Sequence, residues 1–158
     1  MSKFTKKSYL NHSGFLKDSW YLIRNTKSVA HAMKGQAISP KFRERIMLAV
    51  TEVNGCRYCS WLHTKMALKS GLQKDEIRNL LQGNLQAADP TEYPALLFAT
   101  HWADTNKKPD AEMLAEFKKH YSQPEIQCIN TLLQIIWWGN LCGNTLDHLL
   151  HRLRLHKN

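Results

Sequence analysis

Residues 39–71 read SPKFRERIMLAVTEVNGCRYCSWLHTKMALKSG, and their punctuation decides the fold. Ser39 is a good N-cap and Pro40 suits the first helical position, so a helix starts there and runs to about Val53. Asn54-Gly55 is a turn signal. A following helix spans roughly Cys56 to Ser70, and Gly71 is a suitable left-handed stop. The stretch is therefore a helical hairpin whose tight turn delivers two cysteines to the start of its second helix.

The rest of the chain has the same character. Phe15, Leu16, Trp20, Ile23, Val29, Ala30 and Met33 recur at helical spacing, predicting one helix over Phe15 to Ala37 with Gly35 near its end. A short helix is expected from Lys74 to about Gln82, closed by Gly83, followed by a loop over Asn84 to Glu92. Pro94 to Thr105 reads as an apolar helix, Asn106 to Pro109 as a turn, and Asp110 to His120 as an amphipathic helix. Ser122-Gln123-Pro124-Glu125 fits a capping box for a last helix that runs to about Gly139, with a kink at Gly143 before a final segment to Leu155. No alternating strand pattern is present. The expectation is an all-α fold: a single-domain helical bundle of about six to eight helices over 1–158, with 40–83 as its functional hairpin.

Composition agrees with that class. The chain has 158 residues, 43% hydrophobic and 22% charged, which suits one domain with a real core. Ile126 to Cys142 is the most apolar run, but Gln127, Asn130, Gln134 and Asn140 break it, so it reads as a buried helix rather than a membrane span. Met1 to Leu10 is basic without an apolar core, so no secretory signal is read and a cytoplasmic location is expected. The formal charge of +9 raises the question of nucleic acid. Its carriers are scattered, however: Lys3, Lys6, Lys7, then Lys41, Arg43, Arg45, then Lys118, Lys119, then Arg152, Arg154, Lys157. They read as a solvated basic surface, and neither nucleic acid nor membrane is expected as a partner.

Four cysteines are present: Cys56, Cys59, Cys128 and Cys142. Cys128 and Cys142 lie among apolar residues and read as small core side chains. Cys56 and Cys59 are different. At about 100° per residue, Cys56, Cys59 and His63 fall at about 0°, 300° and 340°, on one narrow helix face. A helix start favours a thiolate through its free N–H groups and its dipole. His63, one turn beyond Cys59, is placed to accept its proton. If the two helices pair antiparallel about Asn54-Gly55, Glu44 falls opposite residue 65, near His63, and Glu52 falls opposite residue 57, near Cys56. Spacing alone leaves both acids as candidates. It also leaves zinc open, since Cys-x2-Cys-x3-His offers three ligands and a fourth would have to come from Glu44, Cys128, Cys142 or a distant histidine. His31, His101, His148, His151 and His156 show no ligand spacing beyond the pair His148 and His151, so no metal site is expected.

Glu44, eleven residues, Cys56-Arg57-Tyr58-Cys59, three residues and His63 together resemble the signature of the AhpD-like alkylhydroperoxidases of the carboxymuconolactone decarboxylase superfamily. Ala49-Val50, Asn54-Gly55 and Ala67 to Leu72 fit as well, so the resemblance covers roughly Pro40 to Gly83. It implies a homo-oligomer that reduces a hydroperoxide substrate at the expense of a dithiol reductant protein or small thiol, with no cofactor. It further implies that Cys59 attacks, that Cys56 resolves, that Glu44 rather than Glu52 backs His63, and that Tyr58 is a supporting hydrogen-bonding residue. Thioredoxin-type pairs use the first cysteine as nucleophile, so the reverse order stays open. The apolar run Leu132 to Leu141 is a second reason to expect self-association. Two rival readings remain: a lactone decarboxylase or related lyase, using His63 and Glu44 without a disulfide, and a non-enzymatic, stress-related oligomer.

Overall fold

A computed structural model describes residues 6–155. Lys3, His156, Lys157 and the side chain of Arg154, named above, fall outside that description. So does the first half of the basic N-terminal stretch. Among the described residues the chain is all-α and forms one bundle: α1 (His12–Arg24), α2 (Thr26–Met33), α3 (Pro40–Asn54), α4 (Arg57–Ser70), α5 (Lys74–Leu80), α6 (Tyr93–Asp104), α7 (Ala111–His120) and α8 (Gln123–Leu155). No helix among the described residues is long and apolar enough to cross a membrane.

The helix α3 is the axis of the bundle. Ile46, Met47, Leu48, Ala49 and Val50 are all fully buried, so this helix is apolar on every side, as a central helix must be. It packs against α8, α4 and α6. Phe98 of α6 stacks on Phe117 of α7 at 4.2 Å between ring centres, and Trp102 of α6 meets Trp137 of α8 edge-on at 5.6 Å. The sequence signals that open and close α3 act as expected. Ser39 accepts the Phe42 N–H at 3.0 Å, and Gly55 is left-handed at φ 69°.

Three expectations are corrected. The helix expected over Phe15–Ala37 is two, because Asn25 leaves helical geometry and turns its side-chain amide back onto the Tyr21 carbonyl at 2.7 Å. The stretch 84–92 is not all loop: Leu85–Ala87 forms one 3-10 turn. The last helix neither ends near Gly139 nor breaks into a separate segment at Gly143; α8 is one helix of 33 residues. Burial of Leu132, Leu133, Ile136, Trp137, Asn140, Leu141 and Asn144 outweighs the roughly 1 kcal/mol that each interior glycine costs. At its start, Glu125 accepts the Ser122 N–H at 2.8 Å, which is one arm of the expected capping box.

The same packing removes one argument for self-association. Leu132, Leu133, Ile136, Trp137 and Leu141 are buried by the chain itself. Trp138 is engaged too, donating to Ser19 at 2.9 Å and stacking on Phe15. Large apolar side chains are exposed elsewhere, on α1 (Leu16, Trp20, Ile23) and the end of α8 (Leu146, Leu149, Leu153). Cys128 is a buried core side chain as expected, whereas Cys142 is only half-buried and lines a cavity of about 620 Å³ with Tyr9, Phe15 and Leu146.

Candidate active site

The α3–α4 turn builds the centre of the site. Left-handed Gly55 reverses the chain, and Cys56 then stands as N-cap of α4 in extended geometry rather than inside the helix. Its sulfur accepts the Cys59 N–H at 3.3 Å, the bond a capping oxygen would normally take. The Cys56 carbonyl is held by Ser60, through its N–H at 2.9 Å and its hydroxyl at 3.0 Å. This places Cys56 and Cys59 with their Cα atoms 5.3 Å apart and their sulfurs joined as a disulfide. Cys56 is completely buried; Cys59 is only partly covered.

One turn along α4, the His63 Nδ1 lies 2.9 Å from Oε2 of Glu44 on α3. Glu44 is fully buried and His63 is 8% exposed. The other carboxylate oxygen of Glu44 accepts from Arg43 Nε at 2.8 Å, and the Arg43 guanidinium also donates to the Met33 carbonyl. A carboxylate can only accept, so Nδ1 carries the imidazole proton and Nε2 is left as the basic nitrogen. In this oxidised form, among the described residues, His63 makes no hydrogen bond to either sulfur. Antiparallel pairing thus selects Glu44 rather than Glu52 as the partner of His63. Glu52 turns instead toward the α5 end, 3.8 Å from where a Cβ on Gly83 would stand.

Tyr58 is not aimed at the pair. It is 42% exposed, and its hydroxyl accepts from Arg57 at 2.9 Å while the guanidinium lies over its ring. Arg57 also pairs with Asp147 of α8 at 2.8 Å, and Lys6 holds the other oxygen of Asp147 at 3.0 Å. Lys6, followed by Arg57 and His151, holds the Asp147 carboxyl below its ordinary range. These contacts clamp α4 and the N-terminal segment onto α8 beside the disulfide. A buried amide network ties the end of α3 to α8 from beneath. Asn54 donates to Asn140 at 3.1 Å, Asn140 donates to Thr51 at 3.1 Å, and Asn144 donates to the Asn54 carbonyl at 2.7 Å.

Two features at the site went unread in the sequence. In the sequence Arg43 reads as part of a solvated basic surface; it is the carboxylate's second partner. Gly143 looked like a kink; it is the point where α8 lies against the disulfide, since a Cβ built there would come 2.8 Å from Cys56 Sγ and 3.8 Å from Cys59 Sγ. The remaining thiols are unlike the pair. Burial raises Cys128, and burial followed by Asp18 raises Cys142, so both stay protonated at neutral pH. Among the described residues, no group of three or more His, Cys, Asp or Glu side chains is arranged to hold a metal ion.

A family model described as the carboxymuconolactone decarboxylase family matches residues 23–105, which run from the end of α1 through the site hairpin to the end of α6. Searches of curated proteins and of solved structures gave no match.

Proposed function

Because the chain belongs to the carboxymuconolactone decarboxylase family, we propose that it is an AhpD-like thiol-dependent hydroperoxide reductase or disulfide reductase working through Cys59 and Cys56. The observation that carries this reading is the disulfide at the first turn of α4 with the buried His63–Glu44 pair one turn beyond it.

In the reduced protein, the free Nε2 of His63 takes the proton from Cys59, and the N–H groups opening α4 favour the thiolate that results. The thiolate attacks the terminal peroxide oxygen. The S–O bond forms, the O–O bond breaks, and the departing alkoxide takes a proton from His63 and leaves as the alcohol. Cys59 is then a sulfenic acid. The Cys56 thiol attacks that sulfur, the S–O bond breaks, and water leaves with the Cys56 proton. A dithiol partner or small thiol restores the pair by exchange at Cys59, expelling the Cys56 thiolate. Two facts support this order. Cys59 is the more open sulfur, and Cys56 accepts an N–H bond that stabilises it as a leaving thiolate.

The scheme draws on no resident cofactor, nucleic acid or membrane. It suits the cytoplasm, where thiols are kept reduced. Self-association is part of the reading, through the exposed apolar side chains of α1 and the end of α8. The family's description also favours a lyase reading, in which His63 and Glu44 move a proton and the disulfide is idle. Peroxide titration of free thiols in wild type, Cys56→Ser and Cys59→Ser separates the two. The reductase reading expects wild type to lose two thiols reversibly, Cys56→Ser to stop at or beyond the sulfenic acid, and Cys59→Ser to be inert. A wild type that consumes no peroxide and passes electrons to no disulfide overturns it.

A further inference from the structure

We propose that Gly143 is a positioning residue for the redox pair: the missing side chain on α8 is the notch that lets the Cys56 sulfur sit where it bonds to Cys59. The inference rests on reading the pair as a working redox centre, but it is argued from a different part of the chain. Gly143 lies outside the residues that match the family model, and it is in mid-helix, so backbone conformation gives no reason for glycine there.

Space gives the reason. A Cβ on Gly143 would stand 2.8 Å from Cys56 Sγ, about 0.6 Å inside the lower limit of ordinary nonbonded contact. The obstructing atom has little freedom to give way in the oxidised form. Cys56 is completely buried, its sulfur is bonded to Cys59, and its backbone is fixed by left-handed Gly55 on one side and by Ser60 on the other. In the dithiol the constraint is lighter, because Cys56 Sγ is released from Cys59 and turns about its own Cα–Cβ bond. A side chain at 143 therefore penalises the disulfide more than the dithiol. It also hinders Cys56 in reaching a sulfenic acid on Cys59, the step that forms the S–S bond and expels water. A stalled sulfenic acid meets a second peroxide, which transfers one oxygen to give the sulfinic acid and leaves as alcohol.

The same helix supplies the control. Gly139, one turn earlier, has nothing within 4 Å of its Cβ position. Alanine at either site gains the same helix propensity, so a difference between Gly143→Ala and Gly139→Ala reports the contacts made at 143, of which Cys56 Sγ is the close one and Cys59 Sγ and the Tyr58 ring, each at 3.8 Å, are ordinary. The experiment equilibrates wild type, Gly143→Ala and Gly139→Ala with glutathione redox buffers and quantifies the Cys56–Cys59 disulfide. Overpacking of a tight site of this kind predicts that Gly143→Ala lowers the equilibrium constant for disulfide formation about tenfold, a shift of about 30 mV toward a more oxidising pair. Under excess hydroperoxide it should also accumulate Cys59 sulfinic acid faster than wild type. Gly139→Ala should match wild type in both. Repeating the pair of substitutions in Cys56→Ala measures stability without the sulfur, and there Gly143→Ala should be tolerated as well as Gly139→Ala. Equal potentials for Gly143→Ala and Gly139→Ala would overturn the proposal. So would a Gly143→Ala chain that stays unfolded in the Cys56→Ala background, because the space would then serve something other than the sulfur. The potential is measurable whether or not peroxide is the substrate, so failure of the peroxidase reading and failure of this proposal are distinguishable.

Discussion

Replacing Glu44 with glutamine tests the buried ion pair most sharply. The carboxylate is fully buried and lies 2.9 Å from His63 Nδ1 and 2.8 Å from Arg43 Nε. Both neighbours donate. A glutamine amide keeps one acceptor but turns its NH2 toward the other donor, and a buried donor left without an acceptor costs about 1–3 kcal/mol. The Arg43 charge also loses its counter-ion; removing one partner of a buried pair costs about 3–5 kcal/mol. One surviving bond puts the expected loss near 3 kcal/mol, or roughly 6–12 °C in Tm for a domain of this size. Activity falls for a separate reason. Without the carboxylate, the imidazole tautomer and its protonated form are no longer held, so single-turnover peroxide reduction should drop about 10- to 100-fold. The drop should be smaller than the 10²- to 10⁴-fold expected for His63→Ala, because the imidazole that takes the Cys59 proton is still present. Thermal unfolding by circular dichroism and rapid-quench thiol counting read the two effects. Glu52→Gln is the control and should shift Tm by less than about 2 °C with little change in rate. The reasoning is refuted if Glu44→Gln unfolds with wild type, or if Glu52→Gln damages turnover more than Glu44→Gln does.

Other outcomes follow from the same geometry. With the pair reduced, an alkylating probe at neutral pH should modify Cys59 before Cys128, since Cys59 is only partly covered and burial raises the Cys128 thiol; a peptide map showing Cys128 first would contradict the burial argument. Burial also pushes Tyr121 up to about 12 and, with the Asp18 hydrogen bond, raises Tyr9 further. Both phenols ionise more readily when unfolded, so their contribution is whole below about pH 10 and is lost as pH rises toward 12. Denaturant titrations should therefore show stability falling across that window, and Tyr121→Phe should flatten the fall. Light scattering at micromolar concentration should report a homo-oligomer, and Leu149→Lys or Trp20→Glu should dissociate it; a monomeric wild type would remove self-association from the account.

Local chemistry was legible where a single residue type imposes it. Ser39, Gly55 and Gly71 bound α3 and α4 within a residue of the sequence reading, because N-caps and left-handed stops act through neighbouring backbone. The reflection about Asn54-Gly55 brought Glu44 near His63 for the same reason: a tight turn leaves antiparallel pairing little freedom. What went unread was in part local side-chain bonding, as at Asn25 and Arg43, and in part contact with partners distant in the chain. Asn25 ends α1 by a side-chain bond that competes with the helix, which periodicity does not register. Gly139 and Gly143 looked like a stop and a kink because glycine is costly in a helix; core burial along α8 overrides that cost. The roles of Gly143, Arg57 and Asp147 exist only because α8 crosses α4 at the disulfide, roughly 90 residues away in sequence. The exposed apolar side chains moved for the same reason, from Leu132–Leu141, which the fold covers, to α1 and the end of α8, which it does not.

The central claim concerns a pair of cysteines that cycles, and one measurement bears on it directly. Fully reduced protein is treated with one equivalent of an alkyl hydroperoxide, quenched with an alkylating agent and cleaved at glutamates, so that Cys56 and Cys59 remain on one peptide between Glu52 and Glu76. The account predicts one alcohol formed per chain and a peptide lighter by two hydrogens, unalkylated, and restored to two alkylated cysteines when a dithiol is added before the quench. A peptide that is unchanged, or that carries only added oxygen which no dithiol removes, would contradict it.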